Sequence, residues 1–158
     1  MSKPSLTGKI AGLLDPAAIQ LNLQATDKVG ALREVAGLLA QKHCIGKFDV
    51  FFQEILERER VSNTALGHDI AIPHARTDQC SEIVVAVGRS ARGIPFEAKD
   101  SQPVRLIFLI GTPKAMVTEY LRVVGNLARL LRQDQLRQAL LAAPDPATFI
   151  QLIAQAES

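Results

Sequence analysis

The sequence predicts an α/β domain in which one β-sheet is covered by helices on both faces. Short apolar runs rich in β-branched residues, at 70–72, 83–87 and 104–110, are interspersed with longer segments of helical periodicity. That mixture of periods is the pattern of a layered α/β domain. Nearly half of the 158 residues are apolar, enough for a sizeable core within one domain. Residues 1–158 are therefore expected to form a single domain, with no fused second module.

Each element has a local reason. Residues 19–23 (Ile-Gln-Leu-Asn-Leu) alternate strictly and predict a first strand. Thr26 and Asp27 are N-cap candidates for a helix to about residue 43, with Val29, Leu32, Val35, Leu38 and Leu39 at helical spacing. Gly46 breaks that pattern. A second helix runs from Phe48 to about Arg58 and carries Phe51, Phe52, Ile55 and Leu56 on one face. Residues 60–69 have no period and contain Ser62, Asn63, Thr64 and Gly67, which is loop chemistry. Strands follow at 70–72, 83–87 and 104–110. Residues 93–96 read as a short edge piece and 99–103 as a turn, and Gly111-Thr112-Pro113 ends the last strand. Helices at 116–131, 133–142 and 146–155 close the chain. Asp145 caps the last of them, with Pro146 in its first turn. The pattern does not set the strand order.

Composition excludes several classes. The formal net charge is +2, and no Lys/Arg block is long enough for a nucleic-acid footprint. The N-terminus lacks the apolar stretch of a secretory signal, and no apolar run approaches the ~20 residues that span a bilayer. Cys44 and Cys80 lie far apart in sequence and form no C-x-x-C pair, as expected for reduced thiols in a cytoplasmic protein. His43-Cys44 makes a poor metal site, because adjacent residues rarely face one centre.

The most informative stretch is Gly67-His68-Asp69-Ile70-Ala71-Ile72-Pro73-His74. Pro73 has no backbone N–H and ends or edges a strand. His74 is thereby left at a strand terminus, where its side chain can project beyond the sheet. A neutral imidazole nitrogen at such a rim is a nucleophile able to attack phosphorus or carbon. From the pattern alone, a histidine that simply satisfies its hydrogen bonds at a strand end is the preferred reading.

The longer run from Arg58-Glu59-Arg60 through Ser62, Asn63, Thr64 and Gly67 to Ala71-Ile72-Pro73-His74 resembles the signature of enzyme IIA domains of the bacterial phosphoenolpyruvate:sugar phosphotransferase system. The fructose/mannitol type, which includes the nitrogen-related regulatory IIA proteins, is the most similar group. Ile94-Pro95-Phe96, Asp100, Pro103-Val104 and Ile107-Phe108-Leu109 extend the likeness along the chain. The resemblance implies a mixed β-sheet sandwiched by helices and no metal or organic cofactor. It also implies a histidine that takes a phosphoryl group from phospho-HPr or a paralogue. That histidine passes the group to a IIB partner or holds it as a signal.

On this resemblance His74 is the phospho-accepting residue. Arg58 offers a planar, permanently charged fork for phosphate oxygens. The Thr64 hydroxyl could donate to a phosphoryl oxygen or close a turn. Glu59 is expected to be structural, because a carboxylate beside a phosphoryl group repels it. Two departures stand out. Asp69 is expected to add negative charge close to the phosphorylation site. Tyr120 falls near the place where sugar-transporting members often carry a second histidine, and tyrosine cannot carry that imidazole's proton chemistry. A partner patch is expected from Ala65, Leu66 and Ala71 with the helix start at Val117 and Tyr120. A regulatory role is favoured over sugar uptake. The alternatives are a non-catalytic IIA-fold binding module and, from another class, a metal hydrolase built on His68-Asp69 with His74.

Overall fold

Strand β6 (Val104–Pro113) is the axis on which the sheet is assembled. The structure, a computed structural model, describes residues 9–97 and 102–158. Most of the turn read at 99–103, with Asp100, lies outside them. Before β6 come β1 (Ile19–Gln20), β2 (Ala65–Gly67), β3 (Ile70–Ala71), β4 (His74–Thr77) and β5 (Val84–Ile94). The order is β1-β5-β6-β3-β2, with β4 also paired to β6. β5 is antiparallel to β6 and β2 to β3, whereas β1 runs parallel to β5, and β3 and β4 parallel to β6. The sheet is mixed, as the resemblance implies.

Alternation along β6 divides the core in two, since successive strand side chains point to opposite faces. Leu106, Phe108 and Ile110 pack with Val123, Leu127, Leu140, Phe149 and Ile153. Those residues come from α3 (Val117–Leu130), α4 (Asp134–Ala142) and α5 (Pro146–Glu157). Ile107 and Leu109 pack with Leu32, Val35, Phe51 and Ile55, from α1 (Lys28–Gln41) and α2 (Phe48–Val61). Helices thus cover both faces. The Asp27 and Asp145 caps are present: their carboxylates accept from the N–H groups of Gly30 and Thr148 at 2.8 and 2.7 Å.

The strand at 70–72 differs from its expectation in a way that places the site. It is interrupted rather than ended. Ala71 pairs with Ile107 and His74 with Ile110, so β3 and β4 lie end to end along β6 in one register. Pro73 cannot donate to the ladder, but its carbonyl accepts from the Ile110 N–H at 2.9 Å. His74 therefore opens a second strand, where the sequence suggested the end of the first.

Other boundaries moved for similar reasons. β5 runs to Ile94 rather than stopping at Val87, held by its pairing with β6 and broken by a register shift between Arg89 and Ile94. β1 is shorter than its alternation, although the Leu23 N–H still donates to the Arg89 carbonyl at 2.9 Å. The expected loop at 60–69 contains the end of α2 and a β2–β3 hairpin. His68 and Asp69 are its turn residues, with φ of 53° and 73°. Two-residue hairpins favour such left-handed turns, and Asp is among the side chains that tolerate them. The Asp69 carboxylate pairs with Arg105 at 2.8 Å, so its charge is directed at that cation and not at His74. Among the described residues, no three His, Cys, Asp or Glu side chains gather around one point.

Candidate active site at the start of β4

α2 delivers one wall of the site. Its last turn carries Arg58, placed favourably against the helix dipole. The Arg58 Nη1 donates to the Ser62 carbonyl at 3.1 Å, which fixes the guanidinium at the helix end. Next to it Glu59 is buried. Its carboxylate accepts from the Thr64 N–H at 3.0 Å and the Thr64 hydroxyl at 2.7 Å. It also pairs with Lys28 Nζ at 2.9 Å. The structural role expected of Glu59 is thus visible: it ties α1, α2 and the lead into β2 together. Thr64 has one hydroxyl proton and directs it to Glu59, so here it anchors the loop rather than offering a donor to the cleft.

His74 is only 8 % exposed. Its Nδ1 lies 2.8 Å from the Ile72 carbonyl. A carbonyl can only accept, so Nδ1 carries the proton and the neutral ring keeps its lone pair on Nε2. Burial is the main force holding the His74 pKa below its ordinary 6.5; the bond to Ile72 opposes it, Arg58 adds to the lowering and Glu59 works against it. Lowering favours the neutral ring near pH 7, which is the nucleophilic form.

The other wall comes from α3. The Tyr120 ring centroid lies 5.4 Å from that of His74, tilted by 50°, so the two residues adjoin as expected. Between the walls is a cleft of about 290 Å³ lined by Glu54, Arg58, His74, Ala75, Arg76, Lys114 and Tyr120. A larger depression of about 580 Å³ over Asp49, Val50, Gln53, Glu54 and Glu57 is lined by carboxylates and has no cation among its lining residues.

The expected partner patch is only partly assembled. Leu66 is half-exposed but lines a separate cleft with His68, Ile70, Ala128, Leu131 and Arg132. Ala71 is fully buried, because it points into the α1/α2 core, and leaves the patch. Val117 and Leu121 are exposed on α3 beside Tyr120. Sequence reasoning missed Arg76, Lys114 and Glu54. Arg76 had a signal: with β4 recognised, it falls two residues after His74 on the same strand face.

The family described as "Phosphoenolpyruvate-dependent sugar phosphotransferase system, EIIA 2" matches residues 12–156. A fructose-specific EIIA component of Haloferax volcanii is 34 % identical over 137 residues, covering 87 % of this chain and 89 % of that protein. A nitrogen regulatory protein of Bradyrhizobium diazoefficiens is 33 % identical over 145 residues, covering 92 % and 94 %. The fructose-specific EIIABC component of Bacillus subtilis is 32 % identical over 147 residues; that match covers 93 % of this chain but spans only 23 % of that longer protein. Among solved structures, the nitrogen regulatory protein IIA-Ntr from Neisseria meningitidis superposes with a TM-score of 0.85 at 26 % identity, covering 90 % of this chain and 97 % of that one. The mannitol IIA of Escherichia coli, in its complex with phosphorylated IIB, has the same fold (TM-score 0.78, 22 % identity, 90 % and 97 % covered). A histidine-centred cleft on this fold, with the family match running from residue 12 to residue 156, places the chain in the EIIA 2 family of the phosphoenolpyruvate-dependent sugar phosphotransferase system.

Proposed function

We propose that this phosphoryl carrier takes its phosphoryl group on Nε2 of His74, with residues 1–158 acting as one IIA domain. The observation that carries the reading is the Nδ1 bond to the Ile72 carbonyl at 2.8 Å, which leaves Nε2 as the free nucleophilic nitrogen. The lone pair of Nε2 attacks phosphorus while the donor's N–P bond breaks. The ring becomes cationic on transfer, and the Ile72 carbonyl stays bonded to the Nδ1 proton. Catalysis of such a step is mainly positioning and charge stabilisation, and the Arg58 guanidinium supplies positive charge to the equatorial oxygens.

The donor in this reading is an HPr-like phosphocarrier, and the recipient a IIB component or a regulatory target. The complex formed by the Escherichia coli mannitol relative supports a IIB-type recipient. The nitrogen regulatory relatives support the regulatory role. In that role the added charge, close to −2, makes or breaks contacts at the cleft. A non-catalytic binding module is not favoured, since nucleophile, guanidinium and cleft are all in place. The test is incubation with enzyme I, an HPr-like protein and labelled phosphoenolpyruvate. Label should map to His74 through an acid-labile, base-stable bond, and His74→Ala should abolish it while the fold survives. Label persisting on the variant contradicts the assignment.

A further inference from the structure

Arg76 lines the cleft from β4, two residues after His74 and so on the same strand face. It is exposed, and its guanidinium makes no ion pair or hydrogen bond to any described residue. The other cations of the cleft are engaged: Arg58 donates to Ser62, and Lys114 pairs with Asp78 at 3.3 Å. The acid on the wall, Glu54, accepts from the Thr77 hydroxyl. A guanidinium held beside a nucleophile with no partner of its own has its donors available for an arriving anion. A phosphoryl dianion on Nε2 also carries more negative charge than Arg58 alone offsets.

We propose that Arg76 is the arm that binds the phosphoryl group during transfer and on phospho-His74, with Arg58 as the fixed charge behind it. This rests on the reading of His74 as the acceptor. It assigns Arg76 a substrate contact that forms only when phosphate is present, so the contact acts on the transferring state more than on the empty protein.

The test uses potassium phosphoramidate as the phosphoryl donor, so that no protein partner enters. Nε2 forms the new N–P bond, the P–N bond of phosphoramidate breaks, and ammonia leaves. Phosphorus NMR follows both the appearance of phosphohistidine and its hydrolysis after the donor is removed. Arg76→Gln is expected to slow phosphorylation by ten- to a hundredfold and to shorten the life of the phosphorylated form, with Arg76→Lys recovering part of each. Arg132→Gln, in the separate cleft, controls for a general loss of positive charge and should match the wild type. If Arg76→Gln matches the wild type with phosphoramidate, the proposal is overturned, and slowing seen only with a phosphorylated protein donor makes Arg76 a docking charge instead. If the wild type is labelled at a residue other than His74, the reading of the site and the proposal fail together.

Discussion

At the scale of single residues, the burial that lets little of His74 reach solvent also biases its protonation towards the neutral ring. An unfolded histidine titrates near 6.5 and the folded ring lower, chiefly through desolvation. Between the two values the unfolded chain binds the extra proton. Stability is therefore complete above pH 6.5, falls as pH drops through that value, and is lowest below the folded pKa. Two outcomes follow. The imidazole signals of His74 should titrate with a midpoint below 6.5 by NMR. The acid-side fall in melting temperature should be smaller in His74→Gln, which has no proton to gain. A His74 midpoint at or above 6.5 contradicts the burial argument. His74 and Arg58 were legible because Ile-Pro-His and Arg-Glu stand at a characteristic distance in sequence. Arg76 was not, because only Thr77 in His-Ala-Arg-Thr has strand propensity, and the place of Arg76 beside His74 exists only once β4 pairs with β6.

At the scale of elements, the same distinction separates what the sequence showed from what it did not. The five α-helices among the described residues were readable because each has an apolar stripe of its own, and α1 and α5 also have side-chain caps. The short strands were not. β2 and β3 together hold five residues, too few for a period, and their hairpin is specified by the left-handed pair His68–Asp69. The far half of β5 (Arg89 to Gly93) lacks β-branched residues and is a strand because β6 lies beside it. Where α1, α2 and β2 meet, the Lys28–Glu59–Thr64 cluster replaces apolar packing with ionic and hydrogen-bonded contacts. Glu59→Gln should weaken that junction by about 2 kcal/mol, the scale of hydrogen bonds to a charged group, seen as a lower melting temperature. Because the Glu59 charge raises the His74 pKa, the same variant should move the His74 titration further down. A structural loss without that pH shift would mean that the carboxylate's field does not reach the imidazole.

At the scale of the whole molecule, β4 and the start of α3 come together at one cleft, lined by His74 and Tyr120, and the proposed function places the working surface there. No helix among the described residues is long and apolar enough to cross a membrane. Val117 and Leu121, one turn apart on α3 and exposed, are near neighbours in sequence of Tyr120, which lines the cleft with Arg58, Arg76 and Lys114. Apolar area with charged edges suits repeated, reversible docking. Tyr120 is the residue through which this surface meets the chemistry, with its ring centroid 5.4 Å from that of His74. A tyrosine there adds contact area and a hydroxyl, but no imidazole nitrogen. Accepting a group from a phosphorylated donor requires Nε2 and positive charge, both present whatever stands at 120. Passing the group on to a sugar-type IIB is the step at which a second imidazole would act. Tyr120→His should therefore change the rate of transfer to a sugar-type IIB by a larger factor than the rate of acceptance from an HPr-like donor, both measured by rapid quench with the same labelled protein. Equal factors for the two steps would show that residue 120 only shapes the docking surface, and the preference for a regulatory role would then rest on the relatives alone.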